Sequence, residues 1–246
     1  MNTTLIVVPT YNERENLPRM VARLLALPVK VDLLVVDDNS PDGTGKLADE
    51  LAAKHPEVHV LHRKEKNGLG RAYLAGFKWA LEKSYEFIFE MDGDFSHNPD
   101  DVPAFLEAAK NADLVLGSRY VNGIRIINWP LSRLMLSKGA AMYVQIITGM
   151  PITDPTGGYK CFRRRALEVL NLDEVKSNGY SFQIELTHKL WRNGYRVAEV
   201  PIIFTEREQG HSKMSGHIVR EALIMVWRLF FQNGCRRKPR VVAKPV

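Results

Sequence analysis

Three short apolar runs, at residues 5–8, 33–36 and 87–91, set the strongest constraint on how this chain folds. Each is four or five residues long, rich in Val, Ile, Leu or Phe, and closed by a polar loop. They are too short for core helices and too continuously apolar for strands with one wet face. They read as strands of a parallel sheet buried on both sides. Helical patterns lie between them. Over 16–27, Leu17, Met20, Val21, Leu24 and Leu25 recur on one face, and over 43–55 Leu47 and Leu51 turn inward. A weaker strand at 58–61, a helix over 71–81, a helix beginning near Pro99 and a strand at 113–117 continue the series. Alternating strands and helices predict an α/β architecture with a doubly wound, mainly parallel sheet. In such sheets ligands gather at the carboxyl ends of the strands.

The second half is less regular. It predicts a helix over 131–148, a strand at 158–162, and a helix over 181–193 ended by Gly194. Residues 196–204 look extended, with Pro201 marking an edge or a bend. A last helix over 215–231 places Ile218, Val219, Leu223, Val226, Trp227 and Phe230 on its apolar face. No repeat and no Gly/Ser linker divides the chain. Residues 1–232 are therefore expected as one domain with a C-terminal amphipathic helix, and residues 233–246 as a basic flexible tail.

The loops after the strands carry the chemistry. Pro9-Thr10-Tyr11-Asn12-Glu13 follows the first, Asp37-Asp38-Asn39-Ser40-Pro41-Asp42-Gly43 the second, and Asp92-Gly93-Asp94 the run at 87–91. Acidic residues thus reach one edge of the sheet from separate strand ends. Carboxylates that close repel unless a positive charge sits among them, and a hard divalent cation is the economical answer. Asp92 and Asp94, separated by Gly93, suit Mg²⁺ or Mn²⁺ that also holds phosphate oxygens. Asp42 and Asp101 are placed instead to cap helices.

Charge narrows the function classes further. The chain is 45% hydrophobic and 25% charged, which excludes a disordered or fibrous protein. Its two cysteines, Cys161 and Cys235, cannot build a disulfide framework. The net charge of +6 lies entirely beyond residue 200, where 9 basic residues face 3 acidic ones. A neutral globule with a basic end is not a nucleic-acid binder of the usual uniformly basic kind. The longest apolar stretch, 218–231, is broken by Arg220, Glu221 and Arg228, and the N-terminus has no basic leader. The expectation is a soluble, cytoplasmic chain without a spanning helix. Trp227, Phe230 and Phe231 stand beside Arg228 and the Arg236-Arg237-Lys238 cluster, a pairing that suits peripheral binding at an anionic membrane surface.

Four motifs in order and spacing give a resemblance: residues 9–16, 37–44, Asn67-Gly68-Leu69-Gly70 and 91–97. Together the chain resembles the dolichyl-phosphate (polyprenol monophosphate) mannosyltransferases of glycosyltransferase family 2, over about residues 4–231. The resemblance implies a GT-A (nucleotide-diphospho-sugar transferase) fold, a GDP-mannose donor, a polyprenyl or dolichyl phosphate acceptor, and inversion at the anomeric carbon. It implies a cytoplasmic-face enzyme, and in some relatives without spanning helices a small membrane partner subunit.

Carried over by position, Pro9, Tyr11, Glu13 and Asp38 match residues that hold the nucleoside, and Asp92 and Asp94 match the metal-binding pair. Ser96 stands where some relatives carry a Gln that completes the coordination; a hydroxyl is a weaker ligand, which leaves that place to a water. Arg119, Arg133 and Ser137 match an acceptor-phosphate site, and an arginine fork fits phosphate oxygens at any working pH. Arg207 and Lys213, flanking His211, match a loop that closes over the donor diphosphate. Gln183 and Glu185 match a pattern that contacts sugar. Asp154 matches an acidic position near the reaction centre, where it orients acceptor or sugar or takes a proton; a turn-forming Asp before Pro is the alternative.

The nucleophile would be a phosphate oxygen, ionised near neutrality because the second pKa of a phosphomonoester is about 6. Positioning and charge neutralisation then carry the rate. Two rivals remain: a polyprenyl-phosphate glucosyltransferase using UDP-glucose, and a non-catalytic module that binds anionic lipid or RNA through the basic end.

Overall fold

The computed structural model describes residues 3–205 and 216–233, with the side chains of the last helix described at 223–231. In chain order the elements are β1 Thr4–Thr10, α1 Leu17–Leu25, β2 Asp32–Asp37, α2 Thr44–Lys54, β3 Val58–His62 and α3 Leu69–Leu81. Then come β4 Phe87–Glu90, α4 Val102–Ala109, β5 Leu114–Ser118, β6 Ile126–Ile127 and α5 Leu131–Thr148. The rest are β7 Lys160–Arg163, α6 Arg164–Glu168, α7 Gly179–Arg192, β8 Val197–Pro201, β9 Phe204–Thr205 and α8 Gly216–Asn233.

Seven strands form one sheet in the order β3-β2-β1-β4-β7-β5-β8. All neighbours are parallel except β7, which runs antiparallel to β4 and β5. The continuous apolar runs follow from helices on both faces. On β1, Leu5 and Val7 join one core with α3, α7 and α8 residues, while Ile6 and Val8 join the other with α1 and α4. On α3, a Cβ at Gly76 would stand 2.4 Å from Val7 Cγ1, so this helix packs against β1 at a distance only glycine permits.

The expected doubly wound, mainly parallel sheet is what forms, and two local expectations need correction, at 158–162 and at Asp101. The strand at 158–162 lies at Lys160–Arg163 and runs between β4 and β5, which are therefore not neighbours. Its pattern carries a fully buried Lys160, so hydrophobic periodicity could not place it. The stretch at 196–204 is extended as expected, with both an edge and a bend: β8 is an edge strand of the sheet, and beyond Pro201 the chain bends so that β9 pairs with β6 in a separate ribbon. Asp101 stands at the α4 N-cap without a side-chain capping bond, whereas Asp42 accepts from the Thr44 N–H at 3.0 Å. On α8 the buried side chains are Met225, Val226 and Leu229, while Leu223 and Trp227 are exposed. Residues 218 and 219 and the tail lie outside what is described at side-chain level.

Candidate active site

The C-terminal ends of β1, β2 and β4 turn sharply, with Asn12, Asn39 and Phe95 at φ of 63°, 56° and 60°. Asn tolerates this left-handed conformation; for Phe it is strained, and such strain gathers at functional turns. Asp37 ties two of the ends together, accepting from Thr10 Oγ1 at 3.2 Å and from the Ser40 N–H at 3.1 Å. Between them opens a cleft of about 410 Å³, lined by Pro9, Tyr11, Glu13, Asp38, Asp92 and Asp94 among others. All six come from the motifs singled out in the sequence. Asp38 is paired with the Arg63 guanidinium; burial raises its pKa, and Arg63 works against that rise.

Asp92 and Asp94 are individually held. Asp92 Oδ1 accepts from the Tyr73 hydroxyl at 3.0 Å, and the Asp92 N–H donates to His97 Nδ1 at 3.1 Å. Asp94 Oδ1 accepts from the Ser96 N–H at 3.1 Å. No group of three or more His, Cys, Asp or Glu converges as a complete metal cage among the described residues. Two oriented hard-oxygen carboxylates fit a Mg²⁺- or Mn²⁺-class cation that takes its other ligands from substrate phosphates and water.

Three further residues escaped the sequence reading, two lining this cleft and one buried behind it. Lys66 holds its ammonium 3.6 Å from the Tyr11 ring centroid. Asn178, just ahead of α7, sits so close to Gly68 that a Cβ there would meet its Oδ1 at 2.6 Å. Gly68 also has φ +110°, so both space and backbone require glycine. Tyr73 is the third. Its phenol is pushed well above its ordinary pKa by burial and by Asp92 and Glu90, so it stays a hydrogen-bond donor. For Lys66 and Tyr73 the only signal was proximity in sequence to the Gly68-Leu69-Gly70 motif; Asn178, far along the chain, had none.

Arg119 and Asp154 meet in a buried bidentate pair. Arg119 Nε donates to Asp154 Oδ2 at 2.7 Å and Nη2 to Oδ1 at 2.6 Å, with the Arg119 N–H adding a third bond at 3.0 Å. Burial opposes the guanidinium charge, and Asp154 more than offsets it, so the Arg119 pKa lies above its ordinary value. Glu199 on β8 fixes the turn beneath, accepting from the Thr153 N–H at 2.8 Å and the Asp154 N–H at 2.9 Å. Both Asp154 oxygens are thus engaged by Arg119.

Around this pair stand aromatic rings. The Arg119 guanidinium lies 5.3 Å from the Tyr120 ring, 5.4 Å from Trp129 and 5.6 Å from Phe204. Arg133 stacks on Trp129 at 4.0 Å, and the Tyr120 hydroxyl donates to Ser137 Oγ at 2.7 Å. Arg133 and Ser137 line a largely apolar pocket between α5, α7 and α8, together with Trp129, Leu136, Tyr143 and Leu223.

Gln183 and Glu185 lie elsewhere. Gln183 is buried and takes the Lys160 ammonium on its backbone carbonyl at 2.9 Å and on Oε1. Glu185 accepts from Ser177 and pairs with Lys189 at 2.6 Å. Neither lines the cleft at the strand ends. Arg207, His211 and Lys213 lie outside the described residues.

Residues 5–170 match the glycosyl transferase family 2 profile, and the chain belongs to this family. Among its relatives is an undecaprenyl-phosphate mannosyltransferase from Micrococcus luteus, 51% identical over 91% of this chain and 92% of the relative. A polyprenol monophosphomannose synthase from Mycolicibacterium smegmatis is 54% identical over 91% and 85%. A dolichol-phosphate mannosyltransferase from Pyrococcus furiosus is 37% identical, and the chain spans 64% of it. In structure the chain is similar to a glucosyl-3-phosphoglycerate synthase from Mycobacterium tuberculosis solved with Mn²⁺, UDP and glucosyl-3-phosphoglycerate. That match has a TM-score of 0.66 at 17% identity, covering 96% of this chain and 81% of the other. The architecture is the GT-A fold expected from the sequence.

Proposed function

We propose that the chain transfers mannose from GDP-mannose to a polyprenyl phosphate with inversion at the anomeric carbon, yielding polyprenyl-phosphate mannose. One observation carries the reading: an acidic cleft at the strand ends and a largely apolar pocket carrying Arg133 adjoin at the start of α7, where Gly179 lines the first and Tyr180 the second. A nucleoside diphosphate sugar needs the first, and a phosphate on an isoprenoid chain needs the second. The names of the relatives at 51% and 54% identity support mannose as the sugar.

In this reading Pro9, Tyr11, Glu13 and Asp38 hold the nucleoside, and Asp92 and Asp94 hold a divalent cation that neutralises the donor diphosphate. Arg119 and Arg133 hold the acceptor phosphate, with Ser137 beside them. The nucleophile needs no strong base, being an anion near neutrality. Asp154 keeps Arg119 charged and in place. Gln183, engaged with the buried Lys160 ammonium, takes no part in holding the donor, and Arg207 and Lys213 offset charge on the departing GDP.

The acceptor pocket opens between helices whose outer faces are apolar. On α5, Leu131, Met135, Met142 and Ile146 are exposed, Ile146 by 71%; on α8, Ile224 and Phe231 are exposed, Phe231 by 77%. No helix among the described residues is long and apolar enough to cross a membrane. A peripheral approach through α5 and α8 at the cytoplasmic face brings the pocket to its lipid.

The test offers GDP-mannose or UDP-glucose with a polyprenyl phosphate and Mg²⁺ or Mn²⁺, with and without chelator. The expected product is a lipid-linked mannose that chelator abolishes. Preference for UDP-glucose would reassign the donor, and no turnover by folded protein would leave the binding-module reading.

A further inference from the structure

His97 belongs to the 91–97 motif, and Phe204 ends the extended stretch after β8; neither has a role in the chemistry above. His97 is 3% exposed. Its Nδ1 accepts the Asp92 N–H at 3.1 Å, so the ring is oriented by the backbone of the metal-binding turn. One face stacks on Tyr159, with centroids 4.9 Å apart and planes at 15°. On another side it meets the Phe204 ring at 6.0 Å and 71°. Phe204 in turn meets Trp129 at 5.5 Å and 73°, and carries the Arg119 guanidinium at 5.6 Å. Trp129 is the ring on which Arg133 lies. A single row of contacts therefore runs from the Asp92 backbone through His97 and Phe204 to both acceptor arginines.

The backbone reinforces this placement without depending on the ring. The Phe204 N–H donates to the Arg125 carbonyl at 3.0 Å, and the Arg125 N–H donates to the Arg119 carbonyl at 2.9 Å. Phe204 is thus fixed to the acceptor loop by its main chain and touches the donor turn with its side chain.

We propose that His97 and Phe204 are positioning residues that couple the two half-sites, so that filling one strengthens binding at the other. This rests on the transferase reading. Phe204 and Trp129 are only half-buried. An occupant at either end restricts these shared rings, and a second ligand arriving afterwards has less freedom left to remove. The outcome is positive, reciprocal cooperativity between a nucleoside diphosphate and an isoprenoid phosphate. It would favour assembly of the ternary complex over non-productive donor binding.

The experiment titrates Mn²⁺–GDP into the protein in detergent, with and without saturating farnesyl phosphate, and then reverses the order. Wild type is expected to bind Mn²⁺–GDP about fivefold or more tightly when farnesyl phosphate is present, with the same factor in reverse. Phe204→Ala should bring that factor to about one. His97→Phe keeps a ring but removes the Nδ1 acceptor, so it should weaken Mn²⁺–GDP binding and shrink the factor. A merely structural role would lower the melting temperature and leave the factor alone. Should Phe204→Ala fail to fold, Phe204→Leu and His97→Phe decide the matter. A wild-type factor of one, or a factor unchanged in the folded variants, overturns the proposal. If wild type binds neither probe, the transferase reading itself falls and the coupling with it.

Discussion

The cleft proposed for the donor and the pocket proposed for the acceptor are built in opposite ways. The cleft is a set of loops at the ends of parallel strands, where backbone turns aim Glu13, Asp38, Asp92 and Asp94 into one space. The pocket is a gap between the sides of helices, and its lining arginine, Arg133, lies on the Trp129 indole. The cleft concentrates negative charge that a cation must balance. Behind the pocket's Thr156, Arg119 is paired with one buried carboxylate, while Arg133 is set against an aromatic face. A diphosphate brought by a metal and a phosphate at the end of an apolar chain make these different demands.

The contrast breaks first at the metal pair. In the proposed role, Asp94→Ala removes a cation ligand on which diphosphate neutralisation would depend, a contribution of several kcal/mol, so kcat/KM should fall about 10³-fold. Donor turnover at near wild-type rate in this variant would remove the cleft from the chemistry. Next in size is Asp154. Breaking a buried, bidentate ion pair typically costs about 3–5 kcal/mol because a charge is left unpaired. Asp154→Ala should therefore lower the melting temperature sharply, and Asp154→Asn, which keeps the shape, should raise the acceptor KM. If Asp154→Asn instead lost kcat with stability and acceptor KM intact, the carboxylate would be serving as a base. Arg133 comes third, since it lies on Trp129 at 4.0 Å and is only half-buried. Arg133→Ala should raise the acceptor KM about tenfold, roughly 1.4 kcal/mol, with the donor KM little changed.

The same contrast explains what was legible in the sequence. The acidic cleft residues, with Pro9 and Tyr11, belong to motifs attached to buried strands, and a strand buried on both faces writes itself as an unbroken apolar run. Locating β1, β2 and β4 therefore located Pro9, Asp38 and Asp92. The pocket has no such address. Trp129, Tyr143, Tyr180 and Leu223 come from loop and helices far apart in the chain, and their meeting depends on how α5, α7 and α8 pack. Glu199 was unreadable for a similar reason: on an edge strand it looks solvated, yet it holds the turn that presents Asp154. The apolar face of α8 was legible, but not its division: Met225, Val226 and Leu229 meet protein while Leu223, Ile224, Trp227 and Phe231 stay exposed.

The smallest effect tests whether the cleft's carboxylates need support from outside their own motif. Tyr73 is buried on α3, stacked parallel to Phe182 with centroids 6.3 Å apart, and its hydroxyl donates to Asp92 Oδ1 at 3.0 Å. Tyr73→Phe deletes that one bond and keeps the ring. The net loss is about 1 kcal/mol, so Mn²⁺–GDP affinity should weaken about fivefold with the melting temperature nearly unchanged. Burial and the neighbouring acids hold the phenol well above its ordinary pKa, so it remains protonated through neutral and mildly alkaline conditions. The wild-type to variant ratio should therefore stay constant from about pH 6 to pH 9. A ratio that closed toward one as pH rose would mean that the phenol ionises in this range and does not steady Asp92 as a donor. A ratio of one throughout would mean that the strand-end turn alone orients the carboxylate, and the cleft would then be as self-contained as its motifs suggest.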